Sequence, residues 1–298
     1  MSGDHGRTPP SGEQYEISHG TSEATVTQVG ATLRRLRFAG RSAIDGFGVD
    51  ERASDGRGQV LAPWPNRLTD GKYTFGRREC QAPLNELSRH DAIHGLVRWL
   101  DWTCVEHTAS SVTLRCTVRP QPGYEWHLDL EITYALDAAG LRVTLDARNA
   151  DVEAAPFGVG FHPYLTLGRR PIDGLMLTVP ATADASWDHD FRTPRHLGST
   201  RLDNAFGSLV RGADGCAVAR LEDPANGAAV ELWVDGAFRY LMVYTADAVA
   251  RPERHRMAVA VEPMTCPPEA LRTGIDLVTL EPGATWQGSW GIRDASTR

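Results

Sequence analysis

Residues 126–136, WHLDLEITYAL, alternate apolar and polar side chains from Trp126 to Leu136. A period of two turns one face of an extended chain toward a core and the other toward water, so this stretch predicts a half-buried β-strand. The following stretch, LRVTLDA at residues 141–147, repeats the alternation after the short segment DAAG. Together they predict an antiparallel hairpin with Gly140 in its turn.

The same alternation recurs along the rest of the chain. It is clear in SVTLRCTV at 111–118 and in AVELWV at 229–234, and shorter β-like runs lie between clusters of Gly, Pro, Asn and Asp. The stretch PPEALRT at 267–273 predicts one helical turn, and no long amphipathic helix stands out. Many short strands without strand–helix alternation predict an all-β protein, a large antiparallel β-sandwich with very little helix.

The domain organisation is predicted to be simple. We find no internal repeat and no linker, so residues 15–298 are predicted to form a single domain. Residues 1–14, rich in Gly, Pro and Ser, are predicted to be a disordered leader. They lack the positive start and apolar stretch of a secretory signal, and no part of the chain approaches the ~18 apolar residues of a membrane span. We expect a cytoplasmic protein, monomer or homodimer, that does not bind membranes.

Composition excludes several functions. The 298 residues carry 31 Lys and Arg against 38 Asp and Glu, a formal net charge of -7 without a long run of one sign. Nucleic acid is therefore an unexpected partner, because backbone binding needs clustered cations. Lys72 is the only lysine, which disfavours Schiff-base and P-loop chemistry. The five cysteines form no C-x-x-C pair, so neither a zinc ribbon nor a disulfide framework is indicated.

The search for chemistry leaves a small set of polar residues. The chain contains no G-x-S-x-G, H-E-x-x-H or G-x-x-x-x-G-K-[ST] motif. GVGFHP at 158–163 begins like a dinucleotide fingerprint but has Pro163 in place of the third glycine. The polar residues predicted at strand ends or in adjacent loops are Asn66, Arg67, His94, His162, Asp203 and Glu262.

Glu262 is the strongest candidate for a catalytic residue among them. It ends the apolar run AVAV and precedes Pro263, where we expect the chain to leave its sheet. A carboxylate on a rigid apolar strand has a partner or a raised pKa, and both suit a general base. Each residue taken alone also fits a purely structural role: a solvated carboxylate for Glu262, a packed imidazole for His162, a surface arginine over Trp64 for Arg67, and turn caps for His94 and Asp203.

Several stretches, taken in order, resemble the aldose 1-epimerase (galactose mutarotase) family from about residue 30 to the end. Its motifs are matched by GATLRRLRF (30–38), PWPNRLTDGKYTF (63–75), PLNELSRHDAIHGLVR (83–98), PGYEWHLDLEITYAL (122–136), GFHPYL (160–165), RLDNAF (201–206), AVAVEPMTCPPEAL (258–271) and LEPGATW (280–286).

The resemblance, to a divergent bacterial branch of that family, implies both fold and activity. The fold is the galactose mutarotase-like supersandwich, with the site in a cleft on the concave face of a sheet. The activity is interconversion of the α and β anomers of a hexose, a monosaccharide substrate, by acid–base ring opening without cofactor or metal. His162 matches the general acid and Glu262 the general base. The predicted substrate-binding residues are Arg67, His94 and Asp203, which match those that hold the sugar, together with Asn66.

Two positions depart from the family pattern, and three aromatic residues have open roles. Many members carry a second glycine where this chain has Leu96, and asparagine where it has Phe161. Trp64, Phe157 and Phe161 fit either a flat wall against the sugar or ordinary core packing. The unperturbed histidine pKa of ~6.5 predicts that His162 exists in both protonation states near neutrality.

Three alternatives stay open at this stage. A hexose-6-phosphate 1-epimerase needs arginines that clamp a dianion, and Arg98, Arg169 and Arg170 are candidates. A non-catalytic carbohydrate-binding or regulatory β-sandwich predicts binding without rate enhancement. A glycoside hydrolase using Asp203 and Glu262 needs its two carboxyl groups ~5–9.5 Å apart.

Overall fold

The computed structural model describes residues 8–168, 170–181 and 191–297, and antiparallel strands make up most of their regular structure. The strands, in chain order, are β1 (Gln14–His19), β2 (Ser22–Thr27), β3 (Leu33–Phe38), β4 (Arg41–Ser42), β5 (Val60–Leu61), β6 (Arg67–Thr69), β7 (Lys72–Phe75), β8 (Arg78–Gln81), β9 (Asp91–Ile93), β10 (Thr103–His107), β11 (Ser111–Val118), β12 (Leu128–Asp137), β13 (Gly140–Asn149), β14 (Ala155–Phe157), β15 (Gly160–Phe161), β16 (Tyr164–Leu165), β17 (Met176–Thr178), β18 (Arg195–His196), β19 (Asp203–Phe206), β20 (Ala217–Glu222), β21 (Ala229–Val234), β22 (Tyr240–Tyr244), β23 (Val259–Met264), β24 (Val278–Leu280) and β25 (Thr285–Asp294).

Helix is scarce, as the sequence predicts. The α-helix α1 (Ala270–Thr273) is one turn long and follows the two prolines of PPEALRT. Two 3-10 turns lie at Ile172–Gly174 and Pro252–Arg254. Among the described residues, none of these helical segments is long and apolar enough to cross a bilayer.

Two large sheets form the sandwich. One has nine strands in the order β10-β11-β12-β13-β25-β21-β20-β17-β18, and the other has the order β19-β22-β23-β15-β5, with β16 also pairing with β23. A four-stranded sheet, β1-β2-β3-β4, and three two-stranded pairs complete the fold. The pairings among named strands are antiparallel, so the predicted all-β sandwich is confirmed.

One face of the β23-centred sheet packs against the nine-stranded sheet. Phe161 on β15 lies 5.1 Å from Trp290 on β25 and 5.9 Å from Phe238, measured between ring centroids. All three rings are buried in one hydrophobic cluster that runs from Tyr15 to Ile292. Because successive side chains on a strand point to opposite faces, the neighbours of Phe161 point away from this core.

The hairpin at residues 126–147 forms as predicted, except at its turn. β12 and β13 pair in continuous register from Leu128 with Asn149 to Asp137 with Gly140. The turn itself is Ala138–Ala139, and Gly140 is the first residue of β13. Its φ is +116°, and a Cβ there falls 2.5 Å from the Ile292 carbonyl oxygen, so the strand rather than the turn requires glycine.

The predicted disordered leader includes residues that are hydrogen-bonded to neighbouring segments of the fold. Residues 1–7 lie outside the described residues. Ser11 is buried, its carbonyl accepts a hydrogen bond from the Val29 amide, and the Glu13 carbonyl accepts one from the Gln28 amide. The predicted boundary at residue 14 therefore falls inside a segment that is bonded to the sheet.

Candidate active site

The strand register places His162 directly opposite Glu262. Gly160 pairs with Met264 and Tyr164 pairs with Ala260, so the intervening residues 162 and 262 face each other across the two chains. Opposed residues in antiparallel strands carry their side chains on the same face. Glu262 was expected at the end of its strand, but β23 continues through Pro263 to Met264 and all of it is buried. The carboxyl is therefore held by a central strand.

A second row of the same face brings Asp203 toward this pair. Tyr164 and Tyr244 both pair with Ala260, and Tyr244 also pairs with Asp203 on β19. This row is offset by two residues along the strands from the row of His162 and Glu262. Because side chains alternate between faces, both rows lie on the same side of the sheet. Residues from separate parts of the chain thus share one face of this sheet.

The remaining predicted residues reach the site from the β6–β9 ribbon. Asn66 and His94 are held together at one end of that ribbon: the His94 amide donates to the Asn66 carbonyl over 2.9 Å, and the Asn66 amide donates to His94 Nδ1 over 3.2 Å. Both residues have positive φ, +57° and +65°. Both residues line the pocket described next, so the role of His94 is not limited to capping a turn.

These elements enclose a pocket of about 510 Å³, within the usual range for small-ligand sites. The six residues singled out from the sequence all line it. Among the described residues, no group of three or more His, Cys, Asp or Glu side chains is arranged to hold a metal ion. The residues of the lining used below are Asp55, Gly56, Gln59, Asn66, Arg67, Glu86, Arg89, His94, Arg98, Trp99, His162, Tyr164, Asp203, Tyr244 and Glu262.

His162 and Glu262 form a buried pair at the base of the pocket. His162 Nε2 lies 3.3 Å from Glu262 Oε1, and the side chains are only 6% and 3% exposed. The other two polar atoms of the pair, His162 Nδ1 and Glu262 Oε2, have no hydrogen-bond partner among the described residues. Buried polar atoms are normally satisfied, so two such atoms in one pocket leave hydrogen-bonding capacity for a ligand.

Burial shifts both pKa values, in opposite directions. Removal from water lowers the pKa of His162 to about 3, with a smaller contribution from the charge of Arg57. Burial raises the pKa of Glu262 well above its usual value; the charge of Asp203 adds to the rise and Arg67 opposes it. The expected titration of His162 near 6.5 is therefore wrong. Of the two groups, the carboxyl therefore holds a shared proton more tightly than the imidazole.

The imidazole of His162 is held by a stack of planar groups. Its ring lies 4.9 Å from the Tyr164 ring at 18°, and the Arg57 guanidinium covers the Tyr164 ring at 4.5 Å. Arg57 is 1% exposed and bonds Asp45 at 3.1 Å and Asp55 at 2.9 Å. This layer was not identified from the sequence, because Arg57 is distant from His162 and Tyr164 in the chain and lies in none of the stretches that match the family.

Arg67 is fixed by a carboxylate that sequence reasoning missed. Glu86 accepts from Arg67 Nε over 2.7 Å and from Nη2 over 3.0 Å, a bidentate pair. Asp203 lies 3.7 Å from Arg67 Nη1 and keeps 43% of its side chain exposed. Arg67 is therefore not a surface arginine lying over Trp64, and Asp203 retains an open side toward the pocket.

The three aromatic residues considered for a sugar wall belong to the core. Trp64, Phe157 and Phe161 are at most 3% exposed and none lines the pocket. The two positions that depart from the family pattern, Leu96 and Phe161, are likewise outside the lining. Aromatic surface in the pocket comes instead from Trp99, Tyr164 and Tyr244.

Comparison with known proteins found one matching family and two uncharacterised relatives that match most of the chain. A sequence model of the family described as aldose 1-epimerase matches residues 13–293. The uncharacterised Escherichia coli protein YihR is 34% identical over 289 residues, covering 92% of this chain and 90% of YihR. A second uncharacterised Escherichia coli protein, YphB, is 25% identical over 307 residues, covering 94% of this chain and 98% of YphB.

Solved structures share the fold. A Caenorhabditis elegans homologue of GalM/aldose epimerase superposes with a TM-score of 0.82 at 18% identity, covering 96% of this chain and 99% of that one. Galactose 1-epimerase from Lactobacillus acidophilus gives a TM-score of 0.75 at 19% identity, covering 94% of this chain and 93% of that one.

Proposed function

The chain belongs to the aldose 1-epimerase family, and we propose that it interconverts the α and β anomers of a hexose by acid–base ring opening. The observation that carries the proposal is the buried His162–Glu262 pair, 3.3 Å apart, at the base of a small-ligand pocket. Two titratable groups whose surroundings drive their pKa values in opposite directions are characteristic of an acid–base site.

The reaction needs one proton removed and one delivered. Glu262 takes the proton of the anomeric hydroxyl, the C1–O1 bond becomes a carbonyl, and the bond from C1 to the ring oxygen breaks as His162 protonates that oxygen. Rotation about C1–C2 presents the other face of the aldehyde. The same two groups then act in reverse and close the ring as the other anomer, so protons and electrons balance over the cycle.

The starting arrangement requires the proton on His162, whereas burial of the pair favours the proton on Glu262. The two arrangements hold the same number of protons, and the 3.3 Å contact between Nε2 and Oε1 lets the proton pass between the groups. Bound sugar favours the ionic arrangement, because its anomeric hydroxyl donates to the carboxylate while its ring oxygen accepts from the imidazolium.

Positioning falls to the residues around the pair. Arg67, already bonded to Glu86, donates to sugar oxygens with little further ordering, and His94 and Asn66 line the neighbouring wall. The exposed carboxylate of Asp203 accepts hydrogen bonds from sugar hydroxyls. Tyr244, which is only partly buried, offers apolar ring surface to the sugar's C–H groups.

The test is replacement of the proposed base. Glu262→Gln keeps the shape of the side chain but cannot accept the proton, so we expect kcat/KM for mutarotation, followed by polarimetry of freshly dissolved α-glucose and α-galactose, to fall by roughly 10²–10⁴-fold. His162→Asn is expected to behave similarly. Sugar binding and the thermal unfolding transition should persist in both variants.

Glu79→Gln serves as the matched control, because Glu79 is an exposed carboxylate on β8 away from the pocket. Full activity in Glu262→Gln rules out the base assignment. Sugar binding by the wild type without any rate enhancement supports the non-catalytic reading, and release of nitrophenol from a nitrophenyl glycoside supports the hydrolase.

A further inference from the structure

Arg98 is a cation in the pocket without an anionic partner. Its guanidinium lines the pocket, and Nη2 donates only to the Ile93 carbonyl, over 3.3 Å. Nε is buried and has no hydrogen-bond partner in the part of the chain that the structure describes. Among the described residues, no carboxylate lies within 4 Å of Arg98, and burial without a compensating charge lowers its pKa to about 10.

Other arginines around the pocket are paired. Arg67 and Arg89 both contact Glu86, at 2.7 and 3.7 Å, and Arg57 contacts two aspartates. An arginine drawn out of water without a counter-ion is unfavourable, so a persistent one in a ligand pocket indicates that the ligand supplies the charge. Arg98 is the site's unmatched positive charge.

The backbone that carries Arg98 is rigidly placed. Its carbonyl accepts from Gln59 Nε2 over 3.2 Å, and the Leu96 amide donates to the Ala62 carbonyl over 2.7 Å. A Cβ on Gly30 would fall 2.4 Å from the Arg98 carbonyl oxygen, so the two segments are in close contact. The backbone that carries the Arg98 side chain is therefore held in place on the pocket wall.

Arg98 also lies on the His162 side of the pocket. Gln59 links the two residues: its carbonyl accepts a hydrogen bond from the His162 amide over 3.2 Å, and its Nε2 donates to the Arg98 carbonyl over 3.2 Å. In the proposed reaction His162 protonates the ring oxygen, and in a hexopyranose the exocyclic C6 is attached to the carbon next to that oxygen. Because the anomeric carbon is assigned to Glu262, we expect C5 and its C6 group to lie on the other side of the ring oxygen, toward Arg98.

We propose that Arg98 binds an oxyanion carried on C6, so that the substrate is a hexose bearing a phosphate, sulfonate or carboxylate at that position. This inference rests on the proposed function for the orientation of the sugar. Of the other arginines considered for an anion clamp, Arg170 pairs with Asp223 and does not line the pocket, and Arg169 lies outside the described residues.

The test separates binding from chemistry by using methyl glycosides, which lack the free anomeric hydroxyl and cannot open. Calorimetric titration compares methyl glucoside with its 6-phosphate, its 6-deoxy-6-sulfonate and the corresponding glucuronide. We expect the wild type to bind at least one anionic ligand more than tenfold more tightly than the neutral one, and the order among the three identifies the anion.

Arg98→Gln is expected to weaken binding of the preferred anionic glycoside by roughly 10- to 100-fold, the loss of a charge-assisted bond, and to leave methyl glucoside binding unchanged. Arg98→Lys retains the charge and should restore part of the affinity, which separates charge loss from misfolding. Arg115→Gln removes an exposed arginine outside the pocket and is the matched control.

Equal wild-type affinity for neutral and anionic glycosides overturns the proposal, and so does an Arg98→Gln effect that is the same for both. Failure of the epimerase proposal is recognised separately, as anionic binding without mutarotation of the corresponding free sugars.

Discussion

At the scale of single residues, the decisive pair is His162 and Glu262, and its protonation governs activity. Catalysis needs one proton on the pair. Because burial lowers the pKa of His162 to about 3, a second proton is not taken up between pH 7 and pH 5. Because burial raises the pKa of Glu262, the proton is lost only as the pH rises through that raised value.

We therefore predict that kcat/KM stays level from pH 7 to pH 5 and declines on the alkaline side. The measurement is polarimetric kcat/KM after subtraction of the spontaneous reaction, with circular dichroism at each pH to confirm folding. A loss of activity on acidification with a midpoint near 6.5 contradicts the assigned burial of His162, since that is the pKa of a solvated imidazole.

The identities of the site residues were accessible from the sequence, but their states were not. The motifs around Asn66, His94, His162 and Glu262 are local in sequence, so resemblance to a family identifies them. A pKa depends on everything packed around the group, and the residues that shield and hold His162, Arg57 among them, come from elsewhere in the chain. The same holds for Glu86, which fixes Arg67 from 19 positions away.

At the scale of elements, the segment before β5 forms a wall against the imidazole of His162. Gly56 has φ +77°, and a Cβ at this position falls 2.5 Å from His162 Cδ2. We predict that Gly56→Ala displaces the ring and lowers kcat/KM for mutarotation by at least about tenfold, because misplacement by 1 Å is sufficient for such a loss.

The matched control is Gly215→Ala. Gly215 has φ +76° but nothing within 4 Å of the added Cβ, so it shares the backbone strain of the Gly56 variant without the contact. Gly215→Ala should lose about 1 kcal/mol of stability, measured by urea unfolding, and Gly56→Ala at least as much, but only Gly56→Ala should lose activity. Equal kinetic effects in the two variants contradict a positioning role for Gly56.

Alternation of apolar and polar residues predicted these strands well. It failed for the end of β23, which depends on residues from other strands. The period of two is a local consequence of one buried face, so β11, β12, β13 and β21 appear where expected. The extension of β23 beyond Glu262 was missed because a carboxylate inside a fully buried strand is tolerated only when a partner is supplied by another strand.

At the scale of the whole molecule, the two faces of the β23-centred sheet have different roles: one packs into the core and the other carries the candidate site. The face of the β23-centred sheet that carries Phe161 is closed by the nine-stranded sheet, and the opposite face carries His162, Glu262, Tyr244 and Asp203. The core was predictable because apolar alternation defines it. The unpaired charge of Arg98 was not, because a missing partner is recognised only once every neighbouring segment is in place.

The most direct test of the central claim is NMR of anomer exchange in H2(18)O, using a hexose the wild-type protein turns over. Ring opening between C1 and the ring oxygen predicts rapid exchange between the α and β signals while the oxygen on C1 stays 16O, since the C1–O1 bond is never broken. Incorporation of 18O at C1 at the rate of anomer exchange, beyond the protein-free control, contradicts ring opening by His162 and Glu262 and indicates cleavage of the C1–O1 bond instead.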